Sequence, residues 1–196
     1  GIVAGGLNPK RRRLFVIDGS KALRAAIDEV FGDKNPIQRC RNHKIRNVLD
    51  YLPKERHNNV RSAMKAAFQL PADQGIAKLK KLAQWFKQEH PSVMASLLEG
   101  LDEMFTINRL DLPRDLCRCL GTTNIIESPN AGIRQRTGRV THWRDGQMVL
   151  RWTAAALLSM EKRMRRIMGY QLLWILEANL QAAEEQQDLA REQKRA

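Results

Sequence analysis

The chain has 196 residues, 43% of them apolar, and is long enough to bury a hydrophobic core. Its 34 Lys and Arg residues against 21 Asp and Glu give a net charge of +13, which favours a nucleic acid or another anionic partner. No uncharged apolar run approaches the roughly 20 residues of a membrane-spanning helix, and three cysteines, an odd number, indicate a reducing cytosol. Residues 1–6 lack a signal-peptide pattern and indicate a cut inside a longer protein.

The first quarter of the chain has the pattern of a strand, a helix and a second strand. Residues 14–17 form a short apolar run between a basic loop and Asp18, which is typical of a strand buried on both faces. A helix is predicted between Ser20 and Gly32, and a second strand over residues 37–40. So short a strand–helix–strand sequence predicts a right-handed parallel βαβ unit.

The rest of the chain is predicted to be helical. Four apolar stripes after His43 are separated by prolines, which favours separate helices and marks residues 53–113 as a helical insertion. A long helix follows around residues 150–160, within a C-terminal helical region over residues 114–181. The charged tail, residues 182–196, is expected to be a frayed helix or disordered.

Two carboxylates lie beside predicted element ends. Asp18 ends the first strand, where ligands gather in parallel sheets, and its oxygens suit a divalent cation. The alternative is that Asp18 and Gly19 merely form a turn that caps the next helix. Glu127 follows Asn124 by three residues, which fits a capping box; the functional alternative is a second metal ligand beside Asp18. The spacing alone does not choose between these roles.

Cys40 and His43 have the Cys-x-x-His spacing of half a zinc site. Cys117 and Cys119 are the remaining candidates for the other half, but their spacing is poor for zinc. The favoured interpretation is that Cys40 packs under the sheet while His43 faces a cleft, where it contacts a phosphate or orients the site.

Basic residues recur beside both acidic motifs, where a phosphate backbone would lie. Each cluster alone is typical of a solvated surface, but together they predict DNA contacts by Arg39, Arg41, Lys44, Arg46, Arg134, Arg136, Arg139 and Arg144. Trp143 is a candidate for stacking on an unpaired base, whereas Trp85, Trp152 and Trp174 lie on apolar stripes and are predicted to be core residues.

These motifs, in this order, resemble the Mutator-type transposases of bacterial insertion sequences. The likeness runs from about Pro9 to Leu176 and is carried by residues 15–23, 38–49, 122–128 and 143–147. The resemblance implies an RNase H-like nuclease fold with a helical insertion and a three-acid DDE site, in which Asp18 is the second acid and Glu127 the third. Cys40 and His43 would be the companion motif, Mg²⁺ or Mn²⁺ the cofactor, and the terminal inverted repeats of the element the DNA substrate.

The chain also departs from the family pattern. No candidate for the first acid precedes Asp18, and Pro129 and Gly132 interrupt the predicted helix around Glu127. We therefore expect a mostly helical α/β protein with a truncated RNase H-like core, a βαβ remnant in residues 1–52, and a long C-terminal helix. As a transposase fragment it would act in the bacterial cytoplasm, associated with the nucleoid, with DNA and further copies of itself as partners. The alternative is a noncatalytic helical DNA-binding or regulatory protein.

Overall fold

The computed structural model describes residues 4–193, and the side chains of residues 4–185. This range forms one small parallel sheet and a long series of helices. Two strands and one helix make up its beginning: β1 (Phe15–Ile17), α1 (Lys21–Phe31) and β2 (Ile37–Arg39). The strands pair in parallel, with Phe15 opposite Ile37 and Ile17 opposite Arg39. The predicted βαβ unit is therefore confirmed.

The boundaries of α1 follow from the residues at its two ends. The Ser20 hydroxyl accepts a hydrogen bond from the Leu23 N–H at 3.3 Å and so caps the start of the helix. Gly32 ends the helix with a φ of 79°, a conformation that glycine adopts at little cost. Ile27 faces the sheet and forms a small core with Ile17 and Ile37.

Four helices follow and enclose the largest hydrophobic core: α2 (Arg41–Leu49), α3 (Lys54–Ala67), α4 (Ala72–Trp85) and α5 (Pro91–Leu98). Pro53 and Pro71 occupy the N-cap positions of α3 and α4, and Pro91 is in the first turn of α5. Proline suits these positions because the first helical turn leaves its N–H groups without helical partners. The predicted separation of the stripes into individual helices is confirmed.

The last apolar stripe of this region is not one helix. It breaks after α5, where Gly100 has a φ of 62°, and resumes as a 3₁₀ turn, Asp102–Phe105. Two short helices continue the chain, α6 (Thr106–Arg109) and α7 (Arg114–Leu120). Their buried residues form a second, smaller core, which includes Ile107 and Leu116.

The C-terminal part contains α8 (Asn124–Thr137), α9 (Gly146–Glu161), a 3₁₀ turn (Tyr170–Leu172) and α10 (Leu173–Gln193). Helices α8 and α9 pack against each other, and a side chain on Gly132 would overlap Met160. Gly132 thus permits the close approach of the two helices. The tail predicted to fray or to be disordered continues α10 as a helix to Gln193, and residues 194–196 lie outside the described range.

Three tryptophans predicted to be core residues are exposed instead. The exposed fractions are 67% for Trp85, 44% for Trp152 and 65% for Trp174. At the end of α4, the next residue, Phe86, takes the buried position, since neighbouring helical residues point about 100° apart. The mostly helical α/β class is confirmed, whereas the RNase H-like core stays a prediction. Within residues 4–193, no helix combines the length and apolar character needed to cross a bilayer.

Candidate active site at the ends of the two strands

Asp18 is exposed and lies directly after β1. Its Oδ1 accepts a hydrogen bond from the Ser20 N–H at 2.9 Å, so the carboxylate does organise the turn that leads into α1. Gly19 adopts a φ of 104°, and a side chain there would overlap the guanidinium of Arg39. Asp18 therefore stabilises this turn, and its exposed carboxylate is also accessible to a ligand from solvent.

Cys40 is the residue after β2 and lies beside Asp18 at the same edge of the sheet. Its N–H donates to the carbonyl of Ile17 at 2.7 Å, which extends the parallel pairing by one residue. Adjacent strands are about 4.8 Å apart, so the backbones of Asp18 and Cys40 are immediate neighbours. The Cys40 side chain is fully buried, as predicted, and the residue is the N-cap of α2.

The start of α8 rests on the start of α2. The Arg41 N–H donates to the Gly121 carbonyl at 3.0 Å, and the Asn42 amide donates to Asn124 Oδ1 at 3.3 Å. The Thr123 N–H donates to Cys40 Sγ at 3.3 Å. These bonds join two segments that are eighty residues apart in sequence, and they bring Glu127 to the sheet edge.

Thr123 connects the three side chains that meet there. Its hydroxyl lies 3.2 Å from Cys40 Sγ and 3.4 Å from His43 Nδ1, and it donates to Glu127 Oε1. Ligand atoms of Cys40, His43 and Glu127 all lie within 4.8 Å of one another. Sequence reasoning missed Thr123, although threonine before a helix is a strong N-cap signal.

The predicted capping box is wrong in its details. Thr123, not Asn124, occupies the N-cap position of α8, and Asn124 is the first helical residue. Glu127 is therefore four residues from the N-cap, and its carboxylate accepts from the Thr123 hydroxyl. A carboxylate held by one hydroxyl and 45% exposed remains able to bind a cation.

The disfavoured alternative, a zinc site of all four residues, is not formed by the described residues. Among the described residues, neither Cys117 nor Cys119 joins the cluster of Cys40, His43 and Glu127. The Cys117 thiol donates to the Leu112 carbonyl at 3.2 Å. Burial raises the pKa of Cys117, which is consistent with its role as a hydrogen-bond donor to the Leu112 carbonyl.

Arg39 and Lys44, two of the predicted DNA contacts, are buried and paired with Glu99 instead. Arg39 Nη2 donates to both carboxylate oxygens of Glu99 at 2.8 Å. Lys44 Nζ donates to Glu99 Oε2 at 2.7 Å and to the carbonyls of Ser96 and Glu99 at 2.9 and 2.8 Å. Burial lowers the pKa of Lys44, although the hydrogen bond to Glu99 counteracts this effect.

Arg41 is buried as well, with partners from residues 104–108. Its guanidinium donates to the Met104 carbonyl at 3.0 and 3.1 Å and to the Asn108 side chain, and lies 4.9 Å above the Phe68 ring. Burial lowers the pKa of Arg41 to about 10, which leaves it charged at neutral pH. The DNA contacts predicted for Arg39, Arg41 and Lys44 are therefore wrong, because their charges are used inside the protein.

The other predicted DNA contacts have different surroundings. Arg46, Arg134, Arg139 and Arg144 are exposed. Arg136 is half-buried and donates to Ser159 Oγ at 3.3 Å and to the Gly132 carbonyl at 3.2 Å, which supports the packing of α8 on α9. Arg144 lies next to Asp145, which caps α9 through the Met148 N–H at 2.7 Å. Contact with DNA stays a prediction for these residues and for Trp143.

Comparison with known proteins gives a consistent result. Residues 8–166 match the family described as "Transposase, Mutator family". The chain is 31% identical over 127 residues to the transposase for insertion sequence element IST2 of Acidithiobacillus ferrooxidans, covering 64% of this chain and 42% of that protein. It is 32% identical over 125 residues to the transposase for element IS6120 of Mycolicibacterium smegmatis, covering 63% of this chain and 38% of that protein.

The transposase for element ISRM5 of Rhizobium meliloti is 30% identical over 133 residues, which cover 67% of this chain and 33% of that protein. The chain thus spans between a third and about two fifths of the length of these curated relatives. The family match covers more than half of the chain and includes Asp18, Cys40, His43 and Glu127. The protein belongs to the Mutator family of transposases.

Proposed function

We propose that this chain forms part of the catalytic domain of a transposase that cuts and joins DNA at the ends of an insertion element. One observation carries the proposal beyond family membership. Glu127, from a segment distant in sequence, lies beside Cys40 and His43 at the carboxyl ends of the two strands, where Asp18 also lies, outside that cluster of three ligand atoms. Parallel sheets hold their ligands at this edge, and metal-dependent phosphodiester chemistry requires carboxylates that converge there.

The two carboxylates suit Mg²⁺ or Mn²⁺. Magnesium takes oxygen ligands, usually keeps several waters and binds proteins through one or two carboxylates, which fits the exposed groups of Asp18 and Glu127. When bound, such ions would stabilise the attacking and leaving oxygens of the phosphodiester. The family resemblance assigns the first acid of the DDE set to a strand ahead of the region that this chain supplies.

The remaining site residues position these groups and the DNA. Thr123 holds the Glu127 carboxylate through its hydroxyl, and the N–H of Thr123 fixes the distance to Cys40. The partly exposed His43 ring lies in the same cluster and can donate to a phosphate oxygen. Exposed Arg134, Arg139 and Arg144, which follow Glu127 in α8 and the next loop, would neutralise the DNA backbone.

The test supplies the first acid from a relative. The segment of the IST2 transposase that precedes its matched region is joined ahead of this chain, and labelled DNA with element ends is incubated with the fusion in Mg²⁺ or Mn²⁺. We expect cleavage that depends on the metal ion. Asp18→Asn and Glu127→Gln keep the local hydrogen bonds but weaken metal binding, so each should reduce cleavage below detection.

Asp33→Asn is the matched control, because Asp33 is exposed in the loop at the opposite edge of the sheet. It should leave cleavage unchanged. A fusion that cleaves equally well with Asn at position 18 and Gln at position 127 would contradict the proposal. Folding of every variant is checked by circular dichroism.

A further inference from the structure

The cluster of Cys40, His43 and Glu127 contains a sulfur, a nitrogen and an oxygen ligand within 4.8 Å of one another. His43 Nδ1 and Glu127 Oε1 are 3.6 Å apart. Two ligand atoms about 2.0–2.1 Å from a tetrahedral zinc lie about 3.3 Å from each other. The nitrogen and oxygen are thus already within a few tenths of an ångström of the spacing that a shared ion requires.

Local backbone structure explains why Cys40 and His43 meet. Cys40 is the N-cap of α2 and His43 is the third helical residue, which are the two positions whose side chains close a capping box. The Cys-x-x-His spacing therefore brings both ligand atoms to the same side of the helix start. Glu127 approaches from α8, whose first turn is bonded to Cys40 through Thr123.

The chemistry of the donor set selects the kind of ion. Mg²⁺ and Mn²⁺ prefer oxygen ligands, whereas thiolate and imidazole together are the ligands of zinc and similar transition metals. Three protein ligands, with a fourth position for water, are the pattern of open zinc sites. A thiolate, a carboxylate and a neutral imidazole also carry two negative charges, which match a divalent cation.

We propose that Cys40, His43 and Glu127 form a binding site for one zinc-like divalent ion, separate in chemistry from the magnesium site. The Thr123 N–H donates to the sulfur at 3.3 Å, as hydrogen-bond donors around metal-bound thiolates do. The ion reaches the buried sulfur from the side of His43 and Glu127, whose side chains are 26% and 45% exposed.

Glu127 is common to this site and to the proposed catalytic site. An ion held by Cys40 and His43 would engage the carboxylate that the proposed function assigns to Mg²⁺. Zinc binding would therefore oppose magnesium-dependent cleavage, and this consequence rests on the proposed function. The binding site itself does not, because it can be measured on the chain without DNA.

The test uses the whole chain, reduced and treated with a chelator, and titrates it with Co²⁺ as a spectroscopic substitute for zinc. We expect saturation at one ion per chain, with a thiolate-to-cobalt charge-transfer band in the near ultraviolet. Zn²⁺ should displace the cobalt, whereas excess Mg²⁺ should not. The signal reports binding alone, so it fails or succeeds independently of DNA cleavage.

Substitutions assign the ligands. Cys40→Ala should abolish the charge-transfer band, and His43→Gln and Glu127→Gln should each weaken binding by about tenfold or more, since even changes around metal ligands cost that much. Cys117→Ser and Cys119→Ser are the matched controls and should change neither band nor affinity. His43 and Glu127 are partly exposed, so their variants test the site even if the Cys40 variant fails to fold.

Two results would overturn the proposal. One is the lack of a charge-transfer band in the folded wild-type chain, which would mean that the cluster is a hydrogen-bonded network without a metal. The other is a band that persists in Cys40→Ala, or that disappears in Cys117→Ser or Cys119→Ser, which would assign the sulfur ligand to another cysteine.

Discussion

The Lys44 side chain is completely buried, and its positive charge is compensated by the carboxylate of Glu99. Glu99 also pairs with Arg39, which lies between the backbones of Gly19 and Gly100, where side chains would overlap its guanidinium. Burial alone would raise the pKa of Glu99, but hydrogen bonds from Lys44 and Arg39 outweigh that effect and lower it. One carboxylate, itself 53% exposed, thus compensates the fully buried Lys44 and the nearly buried Arg39.

Removing this carboxylate should destabilise the protein strongly. We expect Glu99→Ala to lower the free energy of unfolding by about 2 kcal/mol, because the fully buried Lys44 loses its carboxylate partner; the cost stays below that of breaking a fully buried pair, since Glu99 itself is 53% exposed. Lys44→Met in the same background should recover part of that free energy. Urea denaturation of the single and double variants measures this coupling.

Glu89→Ala is the control, because the partner of Glu89, Arg56, has a side chain that is 38% exposed, whereas that of Lys44 is fully buried. Its cost should be below about 1 kcal/mol. If Glu99→Ala costs no more than Glu89→Ala, the compensating role of Glu99 is refuted.

The same contacts predict a pH dependence. A carboxylate whose pKa is lowered by folding stabilises the protein above its unfolded pKa, near 4.5, and this contribution disappears as the pH falls through the lower, folded value. We expect the free energy of unfolding to decrease below about pH 4.5 in the wild type. In Glu99→Gln, the free energy of unfolding should decrease less steeply as the pH falls. Urea denaturation between acid and neutral pH measures this dependence. An equal pH dependence in the wild type and in Glu99→Gln would contradict the prediction.

At this scale, sequence patterns identified residue types but not partners. The motif residues Cys40, His43 and Glu127 were predicted, and the structure brings them together. The basic residues beside them were interpreted as a DNA-binding surface. Their actual partners, Glu99 and the Met104 carbonyl, are about sixty residues away in sequence, so no local pattern reveals these contacts.

Helix α8 contains a proline in its interior, where proline is unfavourable. Pro129 lies six residues into the helix, where it has no N–H for the Ile125 carbonyl and its ring crowds that group. The capping box predicts an N-cap at Asn124, which is one residue later than the observed N-cap, Thr123. Glu127 nevertheless stays within the first turns because Cys40 anchors Thr123.

Replacing this proline should stabilise the helix. We expect Pro129→Ala to raise the free energy of unfolding by up to about 3 kcal/mol, since it restores one hydrogen bond and removes a clash. Pro91→Ala is the control: Pro91 is in the first turn of α5, where a missing N–H costs nothing, so no gain is expected. Equal effects of both substitutions in thermal unfolding would contradict the explanation.

For elements, periodicity and prolines were sufficient to predict most of the fold. The strands, α1 and the helices α2–α5 follow from local signals. The exposed tryptophans of α9 and α10 were mispredicted because an apolar stripe does not show whether another element covers it.

Across the whole molecule, buried apolar side chains are distributed unequally. The largest core lies among α2–α5 and the following 3₁₀ turn. Among the described residues, α8 buries no side chain fully and α9 buries only Ala156, while Leu150 and Leu158 are more than 60% exposed. Large exposed apolar surfaces mark sites of contact with further structure, and they also leave helices weakly held.

This distribution predicts a gradient of local stability. Native-state hydrogen exchange should be slowest in α2–α5 and fastest in α8 and α9, because little buried apolar surface holds the latter two helices closed. Mass spectrometry of exchanged peptides measures it. Uniform protection along the chain would show that α8 and α9 are held as firmly as the insertion, against this prediction.

The net charge of +13 predicts salt-dependent DNA binding that has little sequence preference. Replacing Arg134, Arg139 and Arg144 by Ala should reduce the slope of log affinity against log salt by about 0.9 for each phosphate that is no longer neutralised. The control removes the same charge from α4, with Lys78, Lys80 and Lys81 changed to Ala. Equal reductions of slope in both variants would mean that binding follows total charge and not this surface.

The partners of the three buried cations have a consequence for how this protein can change over time. Arg39, Arg41 and Lys44 belong to the second strand of the βαβ unit and to the helix that follows it, but the groups that satisfy them come from residues 96–108. A deletion between α2 and α7, or replacement of that stretch by the one from a distant homologue, would remove the hydrogen-bond partners of all three cations at once. Helices α3–α6 are consequently not a detachable module, and viable length variants should preserve α5 and the turn that follows it.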